Sequence, residues 1–447
     1  MPKKKTALTI EERLQQALVP AEEQPYEVPE NWVWVRLGAV NKYISKSVNP
    51  ISEPDKIFEL YSVPSMVDNY PEIIAGSDIG SSKQSVCKKD VLLCKINPRI
   101  NRVWKVSQFT DNELIASSEW IIIRNNHIDE NYLMYCFQSK YFREFMLSNV
   151  SGVGGSLMRA QPKYVQTYPV PLPPLSEQQR IVERIEELFA KLDEAKERLQ
   201  EVADSFAVRK AAILHKAFTG ELIGKQVTEL VPLENLVDLI KIGPFGSSLH
   251  ESDYIENGIP LVNPKHIVQQ RIVPQSKISI SDEKAEELSS YKLKENDIVL
   301  GRRGEMGRCA PISNREENWI CGTGSMIIRL KKEYDAKLYS LILGSQATVT
   351  YLENSAVGST LKNLNEKIVR KIPVPQFSSE EQHEIVRLID DLLARERSAQ
   401  QATEQALASI DLMKKSILAR AFRGELGTNK ASEASALELL RQVLAEN

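Results

Sequence analysis

A glycine-flanked run of basic residues, Gly301 to Arg308, follows a short β-branched segment that is predicted to form a strand. Arginines in such a loop can hold phosphate oxygens, or they can donate two parallel hydrogen bonds to O6 and N7 of guanine. We therefore take Arg302, Arg303 and Arg308 as candidate nucleic-acid contacts. A basic hairpin on the surface, with no ligand, is the alternative.

Two other segments of the same half of the chain carry polar groups suited to phosphate. The stretch Gly243 to Ser248 could present backbone amides and the hydroxyls of Ser247 and Ser248 to an anion. A tight turn alone would also explain this composition. The proline-bearing segment Asn263 to His266 adds Lys265 as a candidate, whereas a lone histidine is more often structural.

The N-terminal half has a basic stretch of its own. Residues 81–105 contain seven lysines and arginines against one acidic residue, Asp90, and Trp104 lies among them. Such a stretch can bind phosphates; a solvated loop and strand edge is the alternative. The candidate contacts in this stretch are Lys95, Arg99, Arg102 and Lys105.

The composition excludes several classes of protein. The net charge of −3 and the pI of about 6.1 argue mildly against a DNA-binding protein that acts alone. The five cysteines lack a C-x-x-C pair and the five histidines lack metal-ligand spacing, so we expect neither a disulfide framework nor a metal site. The apolar stretches are too short to span a bilayer. We expect a cytoplasmic protein without membrane contact.

A long segment that occurs twice in the sequence is predicted to position these loops. The stretch from Tyr168 to Leu222 recurs without a gap from Ile372 to Leu426, 204 positions later. Each copy opens with P-V-P and closes with A-F-x-G-E-L. Capping boxes predicted at Ser176 and Ser379 and glycines near the end indicate helices over about 177–218 and 380–422.

Apolar residues alternate four and three apart along the first predicted helix, which is the pattern of a coiled-coil seam. The second copy follows this pattern less closely, and Glu396 interrupts it. Two helices of equal length in one chain favour pairing with each other over packing on a globular domain. The predicted seam residues are Ile181, Ile185, Leu188, Leu192, Leu199 and Val202 in the first copy, and Ile385, Ile389, Leu392, Ile410 and Ile417 in the second.

The regions between the helices are divergent copies as well. Asp90 to Leu93 corresponds to Asp297 to Leu300, and Val153 to Leu157 corresponds to Val357 to Leu361. Short β-branched runs broken by Gly, Pro and Asn, each with a helix, predict two α+β domains. The order of domain, helix, domain, helix implies an antiparallel helix pair with a pseudo-two-fold relation and a domain at each end.

With both repeats in view, the chain resembles the specificity subunits of type I restriction–modification systems, from Pro29 to Leu426. The strings that carry the resemblance are P-V-P-L-P-P-L-S-E-Q from Pro169, A-F-T-G-E-L from Ala217, and G-P-F-G-S-S-L from Gly243. The first domain lacks the last string, so its DNA-facing loops cannot be placed by analogy. The fold that the resemblance implies is α+β, with two target-recognition domains separated by an antiparallel pair of long coiled-coil helices.

The predicted divisions are an N-terminal helical extension (1–28), the first target-recognition domain (29–167), the first spacer helix (168–222), the second target-recognition domain (223–371), the second spacer helix (372–426) and a C-terminal helical tail (427–447).

The resemblance implies a non-catalytic subunit whose two domains each recognise one half of a split, asymmetric site in double-stranded DNA. It also implies partners: methylation subunits that bind S-adenosylmethionine, and restriction subunits that use ATP and Mg²⁺. No cofactor is expected on this chain. Two other classes stay open, namely a structural adaptor whose rod holds two protein-binding domains, and a self-contained nuclease or methyltransferase. For the last class the sequence offers no P-loop.

Overall fold

A computed structural model of the chain describes residues 8–152, 158–355 and 363–445. Two compact units are present: Met1–Gln200 with Gln405–Asn447, and Glu201–Glu404. We refer to them as the first and second units. Each combines short strands with helices, which confirms the predicted α+β class. The two predicted closing turns, at 153–157 and 357–361, lie outside the described residues.

The strands of the first unit form a five-stranded and a three-stranded sheet, together with two strand pairs. The five-stranded sheet has the order Ser47–Val48, Lys83–Ser85, Glu113–Ala116, Ile57–Tyr61, Glu72–Ala75, and the three-stranded sheet has the order Val103–Lys105, Val91–Cys94, Trp120–Ile123. The strand pairs are Val33–Arg36 with Pro169–Leu172, and Val150–Ser151 with Arg159–Ala160. The helices are Ile10–Ala17, Leu37–Val40, Glu130–Gln138, Lys140–Ser148, Pro162–Val165 and Ala436–Ala445.

Segments from both ends of the sequence enter the core of the first unit. Helix Ile10–Ala17 and helix Ala436–Ala445 pack against each other, and Leu14 and Leu440 are buried in the same hydrophobic cluster. The Arg13 guanidinium donates to the carbonyl of Leu444 at 3.2 Å. The segments predicted as an extension and a tail are therefore part of the first unit's core.

The second unit has a four-stranded antiparallel sheet beside a three-stranded sheet and two strand pairs. The four-stranded sheet has the order Val237–Ile242, Ser325–Leu330, Asp297–Gly301, Cys309–Pro311, and the three-stranded sheet has the order Ser279–Ile280, Ile259–Val262, Ile320–Cys321. The strand pairs are Val231–Pro232 with Pro373–Val374, and Ile267–Val268 with Arg271–Ile272. The helices are Asp282–Glu287, Ala336–Leu343, Gln346–Ser355 and Glu366–Arg370.

A buried ion pair occurs at the same place in both units. In the first, Arg124 donates through Nε and Nη2 to Asp90 at 2.7 and 2.6 Å. In the second, Arg329 donates through the same atoms to Asp297 at 2.8 and 2.7 Å. Each carboxylate is almost fully buried and raises the pKa of its arginine partner. Both aspartates were recognised in the sequence as the start of a repeated strand.

Two long helices contain most of the gapless repeat: Leu175–Phe218 and Ser379–Ala421. The predicted capping box of the second helix is displaced by one residue, because Ser378 rather than Ser379 accepts from the amide of Glu381. The first helix has Pro174 at the corresponding position, and the carbonyl of that proline accepts from the amide of Glu177. The box predicted at Ser176 is therefore replaced by a backbone contact.

A buried glutamine joins each long helix to the domain beside it. Gln178 accepts from the amide of Asp129 at 2.9 Å and donates to the carbonyl of Pro173. Gln382 accepts from the amide of Asp335 at 2.7 Å and donates to the carbonyl of Phe377. Asp129 and Asp335 are the N-cap residues of helices Glu130–Gln138 and Ala336–Leu343, so each glutamine contacts the start of a domain helix.

Within each unit the two helices run antiparallel. In the first unit Ile181 and Leu418 lie in one hydrophobic cluster, and further along the first helix Asp193 contacts Lys414 at 2.5 Å, so numbering rises along one helix as it falls along the other. In the second unit Arg209 contacts Glu396 at 3.0 Å, and Ala217 lies in one cluster with Ile385 and Ile389. The antiparallel pairing predicted from the repeat is thus present in both units.

The predicted seam is buried at its ends and partly open in between. Ile181, Ile185, Ile385, Ile389 and Ile410 are buried, while Leu188, Leu192, Leu199, Leu392 and Ile417 are half-buried. Val202 is 40% exposed, so its assignment to the seam is wrong. Phe206, four residues further on, is buried instead. Two helices without a third layer cannot cover every apolar position.

Within the described residues, no helix is long and apolar enough to cross a membrane.

Candidate nucleic-acid interface

The loops that were proposed separately in the second half of the chain meet at one end of the four-stranded sheet. Strand Asp297–Gly301 ends there, and strand Ser325–Leu330 begins there, with Gly301 opposite Ser325. Arg302 donates its amide to the carbonyl of Gly324 at 2.9 Å. Gly243 donates its amide to the carbonyl of Ser325, also at 2.9 Å. We call this end of the sheet, in either unit, the exit edge.

Glycine allows the segments at this edge to approach closely. A Cβ atom at Gly243 would clash with the carbonyl oxygen of Gly322. A Cβ atom at Gly322 would in turn clash with the side chain of Asn263. These contacts draw the segments starting at Gly243 and Asn263 onto the same edge as the arginine loop.

The predicted basic residues of the second unit surround this edge but differ in exposure. Lys265 and Arg303 are exposed. Arg302 is half-buried and donates from Nε to the carbonyl of Leu364 at 3.0 Å, and burial lowers the pKa of its guanidinium. Arg308 pairs with Glu305 and reaches the carbonyl of Pro264 at 3.4 Å. The structure therefore brings these four cations together.

The remaining predicted contacts of the second unit lie in a short turn, Gly246–Ser248. Ser248 is exposed, and neighbouring Phe245 is 68% exposed. The side chain of Ser247 lies outside what the structure describes. His266 is buried and its Nδ1 lies 2.8 Å from the carbonyl of Leu261, while burial lowers its pKa. That histidine holds the turn rather than facing solvent.

The first unit builds the same edge on the same backbone pattern. The amide of Lys95 donates to the carbonyl of Glu119 at 3.0 Å, and the carbonyl of Lys95 accepts from the amide of Ala160 at 2.8 Å. Arg302 makes the two corresponding bonds in the second unit, to Gly324 and from Leu364. Lys95 and Arg302 are therefore equivalent residues.

A second basic pair is equivalent by the same criterion. The amide of Cys94 donates to the carbonyl of Arg102 at 3.0 Å. The amide of Gly301 donates to the carbonyl of Arg308 at 2.8 Å. Each arginine thus sits opposite the end of the central strand of its unit. Lys95 and Arg102, two members of the basic stretch that no motif could place, therefore lie at the exit edge of the first unit.

Two other predicted contacts of the first unit are placed differently. Arg99 is exposed on the connection between the paired strands, and its carbonyl accepts from Arg143. Lys105 lies opposite Val91, at the start of the central strand, because the two strands run antiparallel. Its ammonium donates to Asn131 at 2.6 Å. Lys105 is thus away from the exit edge, and its role as a DNA contact stays a prediction.

One charged pair at the exit edge lies outside the motifs that the sequence indicates. Arg159 donates to both carboxylate oxygens of Glu119, at 3.2 Å each. Aligning the two copies at the 204 offset pairs Arg159 with Asn363, and this difference is the sequence signal for the position.

In the part of the chain that the structure describes, no cluster of three or more His, Cys, Asp or Glu could hold a metal ion. All five cysteines are free.

The family model for the type I restriction modification DNA specificity domain matches the chain twice, over residues 29–204 and 234–407. The chain is 30% identical over 306 residues to the EcoBI specificity subunit of Escherichia coli, in a match that covers 62% of this chain and 64% of that subunit, slightly less than two thirds of its length. It is 23% identical over 404 residues to the MjaVIII specificity subunit of Methanocaldococcus jannaschii, covering 86% and 92% of the two chains.

A similar fold is found in the HsdS subunit from Thermoanaerobacter tengcongensis, with a TM-score of 0.67 and 21% identity over 90% of this chain and 99% of that one. This structural likeness supports the fold. The two matches to the family model show that the chain is a member of that family. The chain belongs to the family of DNA specificity subunits of type I restriction–modification systems.

Proposed function

We propose that each unit reads one half of a bipartite, asymmetric site in double-stranded DNA through its exit edge. The observation that carries the proposal is the recurrence of basic residues on equivalent backbone positions, Lys95 with Arg302 and Arg102 with Arg308. Phosphate contacts of this kind fix the register of a protein on DNA, and neighbouring side chains then select bases.

The side chains around these shared cations differ between the units. Glu119 stands where the second unit has Gly324, and Phe245 projects beside the second edge. Base selection follows from the donors and acceptors that reach the major groove. Two edges with different donors and acceptors select different sequences, so the recognised site is asymmetric.

The chain acts without a catalytic centre and recruits subunits that supply the chemistry. Methylation subunits bring S-adenosylmethionine, and restriction subunits bring ATP and Mg²⁺, while this chain binds no cofactor. The paired helices offer a duplicated docking feature, since Val208 and Leu412, 204 positions apart, are 71% and 64% exposed. Exposed large apolar residues at repeated positions suit two copies of one partner. The assembly works in the cytoplasm.

The experiment is a segment exchange followed by mapping of methylated bases. Residues 223–371 are replaced by the corresponding segment of another specificity subunit, and the complex with methylation subunits is expressed in cells. One half of the methylated sequence should change while the other half and the gap persist. Changes in both halves would show that the units do not read independently.

Binding of the parent complex to mixed duplex DNA provides the necessary reference. Retention on a filter should depend on sequence and should fall with salt, because phosphate contacts release counterions. A complex that assembles with its partners yet retains no DNA would instead indicate an adaptor that holds two proteins.

A further inference from the structure

The Glu119–Arg159 pair fixes an arginine at the exit edge of the first unit. Nε and Nη2 of Arg159 each donate to one carboxylate oxygen, so the plane of the guanidinium is set. The arginine side chain is 41% exposed and the glutamate 27%. Among the described residues, none accepts from Nη1. The outer end of the guanidinium is therefore held in one orientation with donors available.

This pair has no counterpart in the second unit, although the backbone there is the same. Glu119 accepts from Lys95 as Gly324 accepts from Arg302. Arg159 precedes Ala160 as Asn363 precedes Leu364, and Ala160 and Leu364 donate to equivalent carbonyls. Glycine and asparagine cannot form an ion pair, yet the strands end in the same way. The Glu119–Arg159 pair is therefore not required for the fold.

The buried pair at the other end of the sheet provides the contrast. Asp90–Arg124 is repeated as Asp297–Arg329 with the same atoms and nearly the same distances. This buried ion pair, which stabilises the sheet, is present in both units. A pair found in one unit only, exposed beside Lys95, points to a role that differs between the units.

We propose that Arg159 reads a guanine in the half-site of the first unit and that Glu119 is its positioning residue. Guanine presents two acceptors, O6 and N7, to two parallel N–H donors, whereas adenine opposes one of those donors with its N6 amino group. An arginine held by a carboxylate loses little freedom on binding and discriminates through geometry. This inference rests on the proposed function, with the exit edge facing the major groove.

The test measures discrimination at single base pairs. Mapping of methylated bases, with and without exchange of residues 223–371, first assigns one half-site to the first unit. The parent complex with methylation subunits is then bound to duplexes altered at one base pair at a time. At one G·C pair the parent should prefer the cognate duplex by about 5- to 150-fold. Arg159→Ala should lose that preference and keep the others.

Two further variants separate reading from folding. Arg159→Lys keeps the charge but lacks the paired donors, so it should retain part of the affinity and lose the preference. Glu119→Gln should reduce the preference without abolishing it, since the arginine remains but its orientation is less fixed. Arg36→Ala is the matched control, because it removes another exposed ion pair of the first unit, Arg36–Glu23 at 2.9 Å, and should leave every preference unchanged.

Four results would overturn the inference. They are equal weakening on all duplexes by Arg159→Ala, an unchanged preference, a changed preference in the other half-site, and a first half-site without a G·C pair. A parent complex that discriminates no base pair would instead refute the proposed function, so the two failures are distinguishable.

Discussion

The two ends of the central sheet differ in how closely the units resemble each other. At the start of the central strand, Asp90–Arg124 and Asp297–Arg329 have the same geometry. At the exit edge the shared feature is basic charge, while Glu119 of the first unit has Gly324 as its equivalent in the second. The repeat thus preserves the ion pair inside each unit and changes the side chains at the edge that we propose to face DNA. Mutations in the long helices, at the buried ion pairs and at the exit edge can test this difference.

The largest effect is expected at the duplicated contacts of the long helices. Ile185 and Ile389 are equivalent and buried. Replacing either with Asp buries an unpaired carboxylate and should lower the free energy of unfolding by about 4 kcal/mol. Denaturant unfolding of the purified chain provides the measurement. Val208→Asp, on an exposed position of the same pair, should cost less than about 0.5 kcal/mol. Equal losses at buried and exposed positions would refute the helix packing.

The next effect concerns the duplicated ion pair. Asp90→Ala and Asp297→Ala each leave a half-buried arginine without its carboxylate and should cost about 3 kcal/mol. The same unfolding experiment applies, and the two losses should agree closely because the geometry agrees. Asp390→Ala removes an exposed partner of Lys337 and should cost at most about 1 kcal/mol. A large difference between Asp90→Ala and Asp297→Ala would mean that the pairs are not equivalent.

Within the exit edge of the second unit, two adjacent arginines should behave differently. Arg302 is anchored by Leu364, whereas Arg303 is exposed. If the anchored side chain pairs with guanine, Arg302→Ala should cost about 1–3 kcal/mol of binding and relax one base position. Arg303→Ala should weaken binding to all sequences alike. Affinities of the complex for cognate and singly altered duplexes decide this, and identical profiles for both variants would remove the distinction.

The smallest effect separates two lysines on neighbouring strands of the first unit. Lys95→Ala should make the slope of log affinity against log salt shallower by about one, as expected for the loss of one phosphate contact. Lys105→Ala should leave the slope unchanged, because its ammonium is bonded to Asn131 at the other end of the strand. Titrations at several salt concentrations measure both. A Lys105 variant with the shallower slope would support the sequence prediction for Lys105 and contradict the proposal that DNA lies at the exit edge.

The sequence predicts the helices well because periodicity is a local property. The first long helix was predicted over 177–218 and spans Leu175–Phe218. Val202 fits the apolar spacing but is exposed, because two helices alone leave part of their apolar surface uncovered. The displaced cap at Ser378 arises because Ser378 and Ser379 are adjacent and both can accept a hydrogen bond.

The interface is harder to predict because it depends on strand register. Lys105 and Lys95 belong to one basic stretch, yet antiparallel pairing places them at opposite ends of a sheet. Arg159 lies far from that stretch in sequence and reaches the exit edge through backbone pairing, which includes the bridge between Ile96 and Arg159 and the bond from Ala160 to Lys95. The basic stretch can be found from composition, but which of its residues share a surface depends on the register of the paired strands.

The meeting of helix Ile10–Ala17 with helix Ala436–Ala445 has a consequence for synthesis on the ribosome. The second unit is one continuous segment and can complete its core while translation continues. The first unit begins earlier, but the hydrophobic cluster around Leu14 is complete only after Leu440, 426 residues later, has been synthesised. The unit that starts first is therefore the one that finishes last, and it is the one exposed to chaperones and proteases for longer.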